Sequence, residues 1–466
     1  MLHFRTSLLL LALLAGTASA LVPPVTTHSV TNLHNIRGGG ARGKRQPLTK
    51  LKSDAAAAVP GESGDGTATI PNEVFNLVKG IVGSGVLSLP YGIAVYGNAP
   101  SAVLPATILI TIMGMISAYT FGLIGRVCQA TDTMSYSDAW DATIGSSSSA
   151  LIAFSCFFDC FAGCLSYSMI LADTFVNLLA FAGVSVTRTQ SLLGVTGFVL
   201  TPLCFLKNLK SLAPFSLVGI LGMLYTFVAM AIRYFGGAYA VGGAFRDTAL
   251  KAPVFGTAGA ASAWSPKALI LTCMLSNAYI AHFNAPKFLK ELKNNTMPRF
   301  HQVIGWSFGA SVLLYAGMSA LGFLTFGAAS NGLILNSYSN KDLLMSIARF
   351  AVAISVTFSY PLCFIGARDG LLDMFKYPQE KRDNGLLNKM TIGMIAVVTA
   401  MAAKLTDLGL VASVGGATFG TALVFVYPTL MMMKLKKNKG VESKIAGVIA
   451  LLGVVMGVIG TKLSFE

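Results

Sequence analysis

From Pro71 to the C-terminus the chain alternates long apolar runs with short polar connections. Eleven such runs cover approximately 72–96, 101–126, 149–180, 189–206, 211–235, 266–290, 300–327, 342–369, 387–404, 407–434 and 443–463. At a helical rise of about 1.5 Å per residue, each is long enough to cross the ~30 Å hydrocarbon layer of a bilayer. The pattern therefore predicts an all-α membrane protein with eleven transmembrane helices. The first seventy residues read differently. His3 and Arg5 precede a Leu/Ala run that ends in small residues at Thr17 to Ala20, the layout of a signal peptide over 1–20. Residues 21–70 are polar, rich in Ser, Thr, Gly and Pro, and carry Arg37, Arg42, Lys44, Arg45, Lys50 and Lys52. With so little apolar area to bury, this stretch is expected to be a disordered targeting segment. Residues 71–466 form the membrane domain.

Composition supports this reading. Of 466 residues, 54% are hydrophobic and 11% charged, with a mean hydropathy of +0.67; soluble domains carry about 25% charged residues. A net charge of +15 raises the question of nucleic acid. The basic residues, however, lie in the N-terminal segment and the short connections, not in a stripe among exposed aromatics, so nucleic-acid binding is excluded. Their placement orients the chain instead. Alternate connections collect 17 Lys and Arg, among them Arg126, Lys287, Lys293, Arg299, Arg368, Arg382, Lys434 and Lys444. The others collect 8, among them Arg188, Arg233, Lys341 and Lys404. The richer set is expected on the cytosol-type side, and the sequon at Asn294 falls there. The seven cysteines show no metal-ligand spacing. Cys156, Cys160 and Cys164 repeat every four residues and read as a helix–helix contact.

Two runs differ from the rest. The first contains Gly80, Gly83, Gly85, Pro90 and Gly92; the sixth contains Asn277, His282, Asn284 and Pro286. Glycine and proline at this density predict helices that break inside the membrane, which is tolerated only where the backbone lines a cavity. The breaks stand five runs apart, the spacing of two inverted five-helix repeats, with one further C-terminal helix. Paired breaks of this kind point to a transporter's binding site.

The same segments carry a family resemblance. Asn76 to Pro90 (NLVKGIVGSGVLSLP) is similar to the first-helix signature of the amino acid/auxin permease family, and Tyr279 to Leu292 (YIAHFNAPKFLKEL) resembles its sixth-helix segment. Tyr315 to Gly327, Tyr360 through Arg368 and Gly415 through Pro428 agree as well. The resemblance implies the leucine-transporter-like fold, amino acids as substrates, and coupling to protons or sodium.

A zwitterionic amino acid in a low-dielectric pocket needs both charges matched. The break at Gly83, Ser84, Gly85 and Leu87 frees backbone N–H groups at the positive end of a half-helix, suited to a carboxylate. Freed carbonyls around Asn277, Tyr279 and His282 suit the ammonium group. Ser166 and Tyr167 in the third run, and Thr357 and Ser359 in the eighth, are candidates for side-chain selectivity, each also explicable as packing. Asp159 lies mid-span, where a carboxylate is a functional candidate by default, with a structural pair as the alternative. Lys79 stands where sodium-coupled members of the resembled family commonly have a neutral amide. That favours protons, while Thr357 and Ser359 match the hydroxyl region of the sodium site and keep sodium open. His282 is read as a titrating group or a hydrogen-bonded core residue, and Asp173, Arg349 and Lys404 as snorkelling or paired residues near span ends.

The expected function is secondary active transport of neutral amino acids, in symport with protons, by alternating access. The expected partners are the substrate, the coupled ion and the lipid bilayer; no cofactor, metal site or enzymatic constellation is expected. A membrane sensor without net transport and a sodium-coupled transporter are the alternatives. The hydroxyl-rich basic stretch from Thr26 to Lys52, with no acid before Asp54, fits a transit peptide. It suggests a plastid envelope membrane, with the vacuole or another endomembrane as runner-up.

Overall fold

The computed structural model describes residues 66–205, 213–375, 377–378, 381–435 and 440–466, with the side chains of 213–218 left aside. The expected signal peptide, and nearly all of the expected targeting segment, lie outside the described residues. Every described element is helical apart from two isolated bridges, Ala68 with Leu292 and Val254 with Gly327.

Helices occupy all eleven predicted runs. The first run is α1 (Ile70–Ile81), a 3-10 turn (Ser84–Ser88) and α2 (Leu89–Tyr96). Then come α3 (Val103–Thr131), a short α4 (Tyr136–Thr143) in a connection, α5 (Ser149–Phe181), α6 (Arg188–Val195, continued to Cys204) and α7 (Ala213–Phe235). The sixth run is α8 (Ala268–Ala278) and α9 (Ala285–Glu291). It is followed by α10 (Met297–Phe326), α11 (Leu343–Met374), α12 (Asn384–Lys404), α13 (Leu408–Lys434) and α14 (Val441–Ser464). Among the described residues eight helices are long and apolar enough to cross a bilayer, or nine when α1 and α2 count as one bent span.

Local chemistry sets several boundaries. Asp342, Asp383 and Asp407 each accept a hydrogen bond from the backbone N–H three residues on, at 3.3, 2.9 and 3.1 Å, and so start α11, α12 and α13. Thr187 and Gln190 form a reciprocal capping box at the head of α6.

Burial separates an inner layer from an outer one. In the apolar windows of α8–α9 and of α13, 67% and 61% of residues are buried, against 28% in α14. Leu104, Phe198, Trp306, Leu313 and Val458 are all more than half exposed, so the outer helices present apolar side chains outward, as a lipid-facing surface requires. Connections of the same parity touch one another. Arg126 is ion-paired with Glu442, and Ala68 meets Leu292. At the other end Asn98 meets Ala258 and Lys251 meets Ser337. Such grouping follows when successive helices run in alternate directions.

Candidate functional site

The first break is a genuine interruption. After Ile81 the chain passes through Val82 and Gly83, and the axis turns by 43° before Ser84–Tyr96 resumes. Gly83 has φ −107° and ψ −160°, extended backbone that any residue adopts, so its role concerns space. A Cβ placed there would meet only the Tyr167 hydroxyl, at 3.8 Å. Gly85 is tighter, since a Cβ there would lie 3.3 Å from the Ala278 Cα, where the two broken spans touch. Ser84 is buried, and Ser88 donates to the Gly85 carbonyl at 2.8 Å. The first N–H groups of this half-helix have no partners within it, the kind of donors an anion takes at a helix start.

The second break runs from Tyr279 to Ala281, between the end of α8 and the 3-10 turn His282–Asn284. The two breaks are joined by a residue that sequence reasoning did not single out as part of the site. The Tyr315 hydroxyl of α10 is 2.7 Å from the Ile81 carbonyl and 2.7 Å from the Ala278 carbonyl. One O–H proton serves one of these at a time, so the hydroxyl is shared between the last carbonyls of α1 and α8. Tyr315 is fully buried. A tyrosine at mid-span was the available signal, although its partners are invisible without the fold.

The predicted candidates separate into two groups. Tyr279 and His282 turn away from the space beside Gly83 and towards α3. Tyr279 donates to the Ile110 carbonyl at 3.1 Å, and His282 Nε2 lies 3.0 Å from Thr120 Oγ1 and 3.1 Å from the Ser117 carbonyl. Those side chains fasten the break to α3, and His282 is the hydrogen-bonded core residue of the two readings open to it. Leu87 is fully buried core. Asn277 stands against α13, where a Cβ on Gly416 would fall 1.8 Å from the Cys273 carbonyl, so only glycine permits that approach. Here α13 widens into two π-helical stretches, Gly416–Gly420 and Ala422–Val426; such bulges are frequent at functional sites.

Tyr167 of α5 does reach the first break, at Gly83, with Ser166 beside it in sequence and half-buried. Thr357 and Ser359 of α11 are also half-buried. Pro361 lies inside α11 and has no N–H, so the Thr357 carbonyl four residues earlier lacks its helical donor. The cysteine stripe is the helix contact expected of it. Cys363 donates to the Cys160 carbonyl at 3.1 Å, a Cβ on Gly366 would meet Cys160 Sγ at 2.9 Å, and all seven cysteines are free. Asp159 is half-buried on α5, with no hydrogen bond or ion pair among the described residues. Lys79 is half-buried in the last turn of α1. No cluster of three metal-ligating side chains occurs among the described residues.

Both ends of the site are covered. On one side the 3-10 turn Ile334–Ser337 lies against the Ser84–Ser88 turn. Arg349, 0% exposed, holds that loop by donating to the carbonyls of Leu335, Tyr338 and Ser339 at 2.9, 2.8 and 3.2 Å. This corrects the expectation for Arg349. It neither snorkels nor meets an acid, because the carbonyls of the folded-over loop give its guanidinium a buried set of acceptors. Asp173 is paired as anticipated, accepting from Arg188 at 2.6 Å and from Asn336 at 3.1 Å. Asp342 accepts from Arg233 at 2.7 Å and from the Tyr239 hydroxyl at 3.0 Å; burial holds that phenol well above its usual range, so it stays a donor. On the other side the chain before α1 closes against the chain after α9. Ala68 N–H donates to the Glu291 carbonyl at 2.9 Å, and Lys293 N–H donates to the Ala68 carbonyl at 2.8 Å.

Residues 66–465 match the family model described as transmembrane amino acid transporter protein. The chain is 26% identical over 408 residues to a putative sodium-coupled neutral amino acid transporter 11 of Danio rerio, covering 85% of this chain and 86% of that one. It is 23% identical over 433 residues to amino acid transporter AVT6E of Arabidopsis thaliana, covering 86% and 84%. With vacuolar amino acid transporter 2 of Saccharomyces cerevisiae it shares 22% over 387 residues, covering 78% and 76%.

Proposed function

Because this chain belongs to the transmembrane amino acid transporter family (the amino acid/auxin permeases), we propose that it carries neutral amino acids across a membrane by proton-coupled alternating access around the breaks in α1–α2 and α8–α9. The family is one of transporters, not enzymes. The observation that carries the proposal is the pair of breaks held together at Tyr315, with the Tyr167 hydroxyl the one described group facing Gly83. In this reading all eleven helical runs cross the bilayer as two inverted five-helix repeats plus α14. The carboxylate sits at the N–H groups of Ser84 and Gly85, and the ammonium at the carbonyls after Asn277. Tyr167 and Ser166 line one wall and Thr357 and Ser359 the other. Tyr279 and His282 contribute backbone, their side chains being engaged with α3.

Substrate class is read by counterflow in proteoliposomes, with radiolabelled neutral, acidic and basic amino acids offered to vesicles loaded with unlabelled alanine. Saturable exchange of the small neutral amino acids is expected. Binding with no exchange would assign a sensor instead.

Sodium is the second reading, favoured by the relatives whose names state sodium coupling and by the hydroxyls of Thr357 and Ser359 next to a Thr357 carbonyl that Pro361 cannot serve. Lys79 weighs against it, since a cation beside the break competes with a bound metal ion.

Relatives include a protein named as vacuolar. The transit-like composition of the N-terminal segment supports a plastid envelope membrane for this chain. Residues 1–70 fused to a fluorescent protein are expected to label the plastid of an algal cell; fluorescence confined to the ER or the cell exterior would exclude that address.

A further inference from the structure

Three acidic or basic side chains other than His282 are fully buried among the described residues: Glu73, Asp342 and Arg349. Asp342 is answered by Arg233, Tyr239 and a backbone N–H, and Arg349 by three carbonyls. Glu73 is answered by no hydrogen bond or ion pair among the described residues. It is 1% exposed, and neither Oε1 nor Oε2 has a hydrogen-bond partner.

Its position is as telling as its isolation. Glu73 shares the buried face of α1 with Leu77 and Ile81, and Ile81 is where the helix breaks and where Tyr315 takes the carbonyl. One turn the other way, Ala68 is bridged to Glu291 and Lys293. The carboxyl group therefore sits between the closure on the basic-loop side and the break. The charged groups that face it are Glu291 and Lys287 of α9, which are 3.9 Å apart and half or more exposed. From α10, packed along α1, the near contact is a neutral one, Ser307 to the Val74 carbonyl at 3.4 Å.

An unpaired anion shut away from water, with a second carboxylate nearby, is costly, and the α1 N-terminus offsets it only weakly. The neutral acid fits this closed arrangement, whereas the anion fits one in which water reaches Glu73. We propose that Glu73 is the proton-carrying residue of the cytosol-side gate. The acid is held while Ala68 stays bridged to α9; when α1 swings away, the O–H proton passes to water and the carboxylate left behind is hydrated. This deepens the proton-coupled reading above and rests on it.

Two measurements on the full-length protein test this. In proteoliposomes, Glu73→Gln keeps the shape and removes the titration. The variant is expected to lose accumulation driven by a pH gradient, which for one coupled proton amounts to about tenfold per pH unit, while retaining counterflow. Glu73→Asp is expected to restore part of the accumulation. Separately, nitroxides are placed at Thr67 and Lys293 in a background lacking the native cysteines. Their spin–spin broadening is expected to weaken as pH rises with Glu73 present, and to be pH-independent in Glu73→Gln. If the parent protein ignores a pH gradient, the coupling reading fails, and the spin pair alone then decides whether Glu73 works the gate. Full gradient-driven accumulation by Glu73→Gln, or an unchanged pH response of the spin pair, overturns the inference.

Discussion

Gly83→Val removes amino acid binding while leaving a folded protein. Gly83 is the better of the two glycines for this test because a Cβ there meets only a hydroxyl at 3.8 Å, and its backbone is open to any residue. The valine methyl groups would then occupy the space from which a carboxylate approaches the N–H groups of Ser84 and Gly85. Losing two charge-assisted hydrogen bonds, at about 1.5 kcal/mol each, weakens binding roughly 100-fold. Binding is measured by scintillation proximity and folding by thermal stability in detergent. Unchanged affinity in a stable variant would make the break a packing feature. Gly85→Val is less informative, since its side chain would press on the Ala278 backbone and disturb both breaks together.

Asp159→Asn is expected to reduce accumulation against a gradient more than it reduces exchange. Asp159 is a half-buried carboxyl in a crossing helix, bonded to no described side chain, so its removal strands no partner. Exchange needs only a substrate-loaded carrier that can open to either side, whereas accumulation also needs the proton. In the variant, uptake under a gradient falls towards the equilibration level, by up to about tenfold per pH unit, while exchange falls less. Equal loss of exchange and accumulation would instead mark Asp159 as structural.

The fold was legible in the sequence to a large extent, for a physical reason. A bilayer forces long apolar helices, and glycine and proline mark where they stop. Helices occupy all eleven predicted runs, and the breaks fall in the two predicted ones, at Val82–Gly83 and at Tyr279–Ala281, a few residues ahead of Pro286. What the sequence withheld were partners. Tyr279 and His282 stand at the second break, yet their side chains are turned to Ile110 and Thr120, because a residue's position in a break does not fix which way its χ1 rotamer points. Tyr315 was missed as a site residue since its acceptors, Ile81 and Ala278, come from two other spans. Arg349 reads from the sequence as a residue that snorkels or pairs near a span end; it is enclosed because the 327–342 loop folds back over it. Nothing in the sequence marks Glu73, a first-turn acid of α1; only packing reveals that it is buried without a hydrogen-bond partner among the described residues.

The central claim is that a proton gradient drives this chain to accumulate a neutral amino acid. Purified protein is reconstituted in vesicles, and labelled substrate uptake is followed with an imposed pH gradient, once in sodium and once with choline in its place. The account predicts accumulation above equilibrium that collapses with a protonophore and is the same in choline. Accumulation that requires sodium and ignores the pH gradient would contradict it.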